Sequence, residues 1–290
     1  MLLIVGCGDL GGEIARLLHV AGHVVIGVRA SNKPLPAKLQ AIQADVTNPA
    51  SLSALKNLKP NILIYCVAAN AQTDESYRAH YVDGLKNVLA TQVDNHGLLH
   101  IFFVSSTRVY GQTHGQKITD ILDENTPAIP CDFGGERLLE AENFLKEFCL
   151  NTRTDVQACK ATSMRLSGIY GSGRLYLLNM AKDISRWPQE NAWSNRIHRD
   201  DAARFIAFLC EKALKKQAIE DCYIVTDDMP TQQYDVLTWL ANKQGVDISN
   251  IQKPATQGGK RLSNKRLSKT GFELRYPNYQ IGYSEILQHV

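Results

Sequence analysis

No acidic residue occurs between Glu13 and Asp45, no two cysteines have the CxxC spacing, and no block of like charge stands out. No apolar run approaches the ~20 residues that cross a bilayer, so a membrane span is not expected. The seven cysteines (Cys7, Cys66, Cys131, Cys149, Cys159, Cys210 and Cys222) are scattered and odd in number. That pattern argues against zinc and against a disulfide framework, and for reduced thiols. The net charge is only +3, with both signs interspersed, which gives nucleic acid no basic face to bind. No basic segment precedes the apolar start Leu2–Val5, which runs directly into glycines. It reads as a strand, not as a signal peptide, and a cytoplasmic location is expected. Repeats and low-complexity tracts are missing as well. What is present is ordinary for a globular chain: 44% hydrophobic and 21% charged residues over 290 positions. That length suits one large α/β domain, or one domain with a smaller lobe.

Short apolar runs alternate with amphipathic ones. Strands are expected at 2–5, 24–28, ending near 44–45, at 62–67, 99–105 and within 156–166. Helices are expected at 10–21, 51–58, 74–95 and 131–150. This alternation predicts a parallel sheet covered on both faces by helices. After Gly171 the rhythm changes, with helices expected at 199–216, 231–243 and 282–288 and a strand at 222–226. Residues 1–170 are thus read as one nucleotide-binding domain. Residues 171–290 are read mostly as a smaller substrate lobe, with some segments returning to the first domain.

Gly6-Cys7-Gly8-Asp9-Leu10-Gly11 has the GxGxxG spacing, directly after a strand and opening a helix. The first glycine makes a tight turn. The second lets backbone N–H groups approach a pyrophosphate, and the third lets helix and strand pack closely. Inside a βαβ unit this spacing is a dinucleotide-binding signature. NAD-binding units carry an acid about 20 residues further on, where it holds the ribose 2′-hydroxyl. Arg29 stands there instead, followed by Ser31, Asn32 and Lys33. A guanidinium pairs with a 2′-phosphate, so NADP is the preferred cofactor and NAD the other candidate. Asp45, after the third strand, either accepts from the adenine amino group or caps the turn that follows it.

Four further segments carry a resemblance. These are Val104-Ser105-Ser106-Thr107-Arg108-Val109-Tyr110-Gly111, Asp123-Glu124-Asn125-Thr126-Pro127, Met164-Arg165-Leu166-Ser167-Gly168-Ile169-Tyr170-Gly171, and Asn195-Arg196-Ile197-His198-Arg199-Asp200-Asp201. In these the chain resembles the extended short-chain dehydrogenase/reductases, the NAD-dependent epimerases and dehydratases. The resemblance implies an α/β fold: a Rossmann-type doubly wound parallel sheet with a small discontinuous C-terminal substrate lobe. It implies a catalytic serine at Ser106 and a cofactor site drawn from Gly6, Gly8, Asp9, Leu10, Gly11, Arg29, Ser31, Asp45, Val46, Ala68, Ala69 and Arg137. A substrate cleft would involve Thr107, Cys131, Gly168 and Arg196. The partner it implies is a small-molecule substrate of the sugar-nucleotide kind. A homodimer would be built on the helices that begin at Asp74 and Cys131.

One departure is sharp. The family pairs a tyrosine with a lysine four residues on, which places both on one helical face for proton transfer. Here the segment is Phe133-Gly134-Gly135-Glu136-Arg137, and none of the 11 tyrosines has a lysine at that spacing. Phenylalanine has no proton to give, a loss on the order of 10²–10⁴ in rate. Arginine keeps its charge but does not titrate. Cys131, read as a half-buried thiol, and His114 are the nearby groups that could stand in. Two readings follow. One is an enzyme acting on a sugar nucleotide or small carbonyl or alcohol through NAD(P). The other is an NADP(H)-sensing or regulatory protein of weak or no catalytic activity. A third, a subunit whose cofactor serves stability alone, would show no redox selectivity.

Overall fold

The computed structural model describes residues 1–36, 39–111, 120–151 and 159–289. Its strands follow the short apolar runs. They begin with β1 (Leu2–Val5), β2 (Val25–Arg29), β3 (Gln40–Gln43), β4 (Ile62–Tyr65) and β5 (His100–Ser106). Next come β6 (Ile121–Leu122), β7 (Lys160–Leu166), β8 (Gly168–Tyr170), β9 (Asn191–Ser194) and β10 (Arg196–His198). The last four are β11 (Cys222–Val225), β12 (Thr231–Gln232), β13 (Thr256–Gly259) and β14 (Arg261–Leu262). The α-helices are α1 (Asp9–Val20), α2 (Asp74–Tyr77), α3 (Gly84–Ala90), α4 (Phe133–Asn151) and α5 (Tyr176–Lys182). They continue with α6 (Arg199–Leu214), α7 (Gln233–Lys243), α8 (Lys265–Ser268) and α9 (Tyr279–Leu287).

Seven strands form one sheet in the order β11-β7-β5-β4-β1-β2-β3. The pairings of β1 with β2 and β4, of β2 with β3, and of β4 with β5 are parallel. Order therefore reverses between β1 and β4. A crevice opens at such a switch point, at the carboxyl ends of the strands. β1 and β4 are buried at every position, which is why both read as unbroken apolar runs.

Two expected helices take other forms. Residues Pro49–Asn57 wind as a 3₁₀ helix, started by the Asn48 side chain accepting from the Ala50 N–H at 3.1 Å. The helix expected over 74–95 is interrupted by a π-helical stretch at Arg78–Asp83. Tyr65, on β4, donates its hydroxyl hydrogen bond to the His80 carbonyl inside that stretch. A side chain that claims a helical carbonyl disturbs the i→i−4 ladder there. Gly84 fits beneath the same phenol, where a Cβ would lie 2.6 Å from the Tyr65 hydroxyl.

The described fold divides into two compact units. Unit 1 holds Met1–Gly111, Ala128–Arg165 and Ala202–Tyr223; unit 2 holds Gln112–Pro127, Leu166–Asp201 and Ile224–Val290. Inside unit 1, α4 buries Leu138, Ala141, Glu142, Leu145 and Cys149 as one stripe. Glu142 is only 1% exposed. Its carboxylate accepts from Arg165 Nη2 at 2.7 Å and from the Ser105 hydroxyl at 2.6 Å, while Arg165 Nη1 donates to the Tyr110 hydroxyl at 2.7 Å. Burial alone would lower the Arg165 pKa, but the Glu142 carboxylate outweighs it and the pKa is raised.

Unit 2 has its own apolar core, in which Leu178, Trp187, Leu237, Leu240 and Tyr283 are all buried. His198 is buried there too, edge-on to Tyr170 and against Tyr276. Asp201 is fully buried and accepts the backbone N–H groups of Arg275 and Tyr276 at 3.0 and 2.7 Å. The paired aspartates that close the Asn195–Asp201 motif thus include one that anchors the C-terminal segment.

Candidate functional site

The glycine loop leaves β1 at the switch point. Gly6 sits at φ +95°, and a Cβ there would lie 2.5 Å from the Cys66 backbone at the end of β4. Gly11 is equally confined, with a Cβ position 2.3 Å from the Gly6 carbonyl oxygen. Gly8 differs, because nothing lies within 4 Å of its Cβ position. It is also the N-cap of α1, a 12-residue helix whose start has no side-chain cap. The first amides of an α-helix have no partner within the helix and carry the partial positive charge of its N-terminus, and here, at Asp9, Leu10 and Gly11, they follow Gly8 directly. Leu10 buries its side chain and Gly11 is buried, so both offer backbone only. The arrangement fits a pyrophosphate.

These geometries separate the glycines by role. Gly6→Ala is expected to unfold or strongly destabilise the protein, since both the positive φ and the Cys66 backbone oppose it. Gly8→Ala is expected to shift stability by less than about 1 kcal/mol yet weaken dinucleotide binding at least about tenfold, by placing a methyl where phosphate oxygens approach. Thermal melts and cofactor titrations of the two variants check this pair.

Arg29 ends β2. Its Nη1 donates to the Pro34 carbonyl at 3.3 Å, and its Nε is buried with no hydrogen-bond partner among the described residues. A buried donor without an acceptor is costly, so an anionic acceptor suits this position. Ser31 beside it is exposed. Asp45 caps its own turn: Oδ1 accepts from the Thr47 N–H and hydroxyl at 2.9 and 2.8 Å, and these two bonds hold its carboxyl below the usual range. Val46 is buried, Ala68 exposed and Ala69 half-buried.

At the end of β5 the Ser106 hydroxyl accepts the Arg108 N–H at 3.2 Å and starts the turn Thr107–Val109. Thr107 is buried. The Arg108 side chain folds back over Phe133, 5.1 Å from the ring centroid, and over Tyr77 at 5.2 Å. Its Nε donates to Asp132 at 2.8 Å and its Nη1 to the Tyr77 hydroxyl at 2.9 Å. Burial would raise the Asp132 pKa, but the Gly135 N–H and the Arg108 guanidinium together hold it below the usual value. Gly134 makes room, for a Cβ there would meet the guanidinium at 2.5 Å. Phe133 therefore lies in a cation–aromatic cluster that sequence reasoning missed. The signal was there, because Arg108 stands two residues after Ser106 in a segment already singled out.

Arg137, expected against the cofactor ribose, is engaged elsewhere. Its Nε and Nη2 donate to the two Asp74 oxygens at 2.7 and 2.9 Å, and its Nη1 donates to Glu140 at 2.8 Å. All three nitrogens face carboxylates, so a ribose contact would have to displace one of them. Cys131, expected to be half-buried, is exposed. His114 lies outside the described residues.

Unit 2 contains a cavity of about 580 Å³ whose lining includes Gly168, Tyr170, Arg174, Tyr176, Arg196 and Gln233. Gly168 and Arg196 thus share one lining, whereas Thr107 and Cys131 belong to unit 1. Arg196 is 4% exposed. Its Nη2 donates to the Ser194 hydroxyl at 2.6 Å, and its Nη1 has no partner among the described residues. Asp227 in the same unit is also buried, with Oδ1 accepting the Met229 N–H at 3.1 Å and Oδ2 unpartnered among the described residues. Burial pushes its pKa from 3.8 to about 7, against the opposing pull of Arg196. An acid that holds its proton more tightly when folded makes the folded state lose stability as pH rises between those two values. Asp227→Asn is expected to remove that decline and to raise stability above pH 7 relative to wild type. Denaturant titrations at pH 4.5, 6 and 8 would show it as a flatter pH profile; an unchanged slope would reject it.

The reversed strand order and the uncapped helix behind a glycine turn define a dinucleotide-binding protein of the Rossmann class. The sequence pattern of the NAD dependent epimerase/dehydratase family matches residues 2–222, and the chain belongs to that family. A structure from Methylobacillus flagellatus, provisionally described as an NAD-dependent epimerase/dehydratase, is 45% identical, with a TM-score of 0.86 over 99% of this chain and 97% of that one. A UDP-glucose 4-epimerase from Thermus thermophilus, in complex with NAD, is 18% identical, with a TM-score of 0.77 over 100% and 98%. A UDP-glucose 4-epimerase from Thermotoga maritima, with UDP-glucose, is 15% identical, with a TM-score of 0.78 over 99% and 98%. These last two share the fold. No curated protein matches the chain.

Proposed function

We propose that this chain binds NADP in preference to NAD and acts through its nicotinamide on a sugar-nucleotide-like or small carbonyl or alcohol substrate. The observation that carries the cofactor choice is Arg29, whose buried Nε lacks an acceptor among the described residues at the end of β2, where no acid is present to hold a 2′-hydroxyl. In this reading the amides at the start of α1 hold the pyrophosphate and Arg29 holds the 2′-phosphate. When bound, the nicotinamide gives or takes a hydride. Ser106 orients a substrate oxygen with its O–H, while Phe133 supplies no proton. The proton then comes from water or from the substrate's own groups. Within unit 2 alone, Arg196 lines the cavity, and its Nη1, without a partner among the described residues, suits an anionic group.

The second reading is an NADP(H)-sensing protein of weak or no catalytic activity. It is favoured by the apolar ring of Phe133 under Arg108 and by the carboxylates that occupy Arg137.

The first test is a fluorescence titration of cofactor-stripped protein with NADPH, NADP⁺ and NADH in parallel. Preference for the 2′-phosphorylated forms supports the Arg29 assignment, and NADH binding as tightly as NADPH overturns it. A panel of aldehydes and keto sugars then separates the two readings. Turnover of NADPH supports the enzyme, whereas redox-selective binding without turnover supports the sensor.

A further inference from the structure

Spacing along the chain gives no reason to pair any of the seven thiols. The fold brings two of them together. Cys149 lies in the last turns of α4, at the end of the buried stripe that contains Glu142 and Leu145. Cys159 lies just before β7, half-buried, ten positions away in sequence. The Cys149 thiol donates to Cys159 Sγ at 3.6 Å, and the Cys159 thiol donates to the Lys160 carbonyl at 3.6 Å. One partner stands on a helix and the other at the entrance of a strand, so packing within unit 1 fixes their approach. A disulfide needs its sulfurs about 2.05 Å apart. Closing this pair takes a shift of about 1.5 Å, shared between two side chains.

We propose that Cys149 and Cys159 form a redox pair, oxidised reversibly by a low-molecular-weight disulfide to an intramolecular disulfide that fastens the end of α4 to the start of β7. Cys159, the more accessible sulfur, attacks the small disulfide as its thiolate. A mixed disulfide forms and one small thiol leaves. The Cys149 thiolate then attacks Cys159 Sγ, breaks the mixed disulfide and releases the second small thiol. Two electrons pass from the protein sulfurs to the small disulfide, and the two protons lost by the cysteines end on the released thiols. The pair is independent of nicotinamide chemistry, and its Cys149 half sits on the helix that carries Phe133 and Arg137.

The test uses the full-length protein and oxidised glutathione at mildly alkaline pH, which favours the attacking thiolate. The expected product is a protein that has lost two hydrogens and yields a Cys149–Cys159 cross-linked peptide, with both changes reversed by dithiothreitol. Its melting temperature should rise on the order of 5 °C. Cys149→Ser should stop at a glutathione adduct on Cys159. Cys159→Ser should give neither that adduct nor the cross-link. Wild-type peptide mapping stands without the variants, should either fail to fold. No cross-link after prolonged oxidation, a stable glutathione adduct on wild-type Cys159, or a cross-link between other cysteines would each overturn the proposal.

Discussion

Glu142→Gln should cost the fold about 3–5 kcal/mol, the range for breaking one side of a buried ion pair. The reason is the guanidinium left behind. Arg165 is buried and directs Nε and Nη2 at the Glu142 carboxylate, and an amide there offers one oxygen and an N–H₂ that faces those donors. Ser105 loses the ionic acceptor of its 2.6 Å hydrogen bond as well. For a chain of this length the loss should lower the melting temperature on the order of 5–8 °C. Replacing both partners, Glu142→Leu with Arg165→Met, should recover most of the loss, because no charge is then stranded. A double variant as unstable as the single one would mean that the pair does more than neutralise itself. A single-variant loss under about 1 kcal/mol would place the pair among ordinary exposed salt bridges.

Arg29→Asp should weaken NADPH binding about 100-fold, which is about 2.7 kcal/mol. That is the size expected when a charge-assisted contact to phosphate is lost and a like charge replaces it. NADH, with no 2′-phosphate, should change by less than about threefold or bind better, since an acid at this position suits a ribose hydroxyl. Parallel titrations of wild type and variant give the double ratio directly. Equal weakening of both cofactors would remove the phosphate role from Arg29 and leave it a structural residue of the Pro34 loop.

The parts of this protein that a ligand or a sheet dictates locally were legible in its sequence. The glycine loop is one, because turn, phosphate approach and helix packing each demand a glycine at a fixed offset. The fully apolar runs of β1 and β4 are another. What could not be read depends on partners distant in the chain. The amphipathic pattern over 74–95 looks continuous, and nothing local shows that Tyr65 claims the His80 carbonyl. Arg137 has the spacing for a cofactor contact, yet its carboxylate partner Asp74 lies 63 residues earlier. The Cys149–Cys159 contact is of the same kind, with a helix end and a strand start meeting through packing. Asp45 admits two roles from sequence alone, and in the fold its Oδ1 serves the turn that it caps.

The open space at Gly8, set against the crowding at Gly6 and Gly11, has a consequence for work in living cells. Most changes that empty a nucleotide site also deplete the protein, so the phenotype of an inactive allele mixes lost ligand with lost chain. Here the Gly8 Cβ position meets only open space, where the proposed dinucleotide would lie. An allele carrying Gly8→Ala would keep the polypeptide at normal abundance while leaving it starved of dinucleotide. Comparing it with a deletion would separate what the cell needs from the bound nucleotide from what it needs from the protein's presence alone.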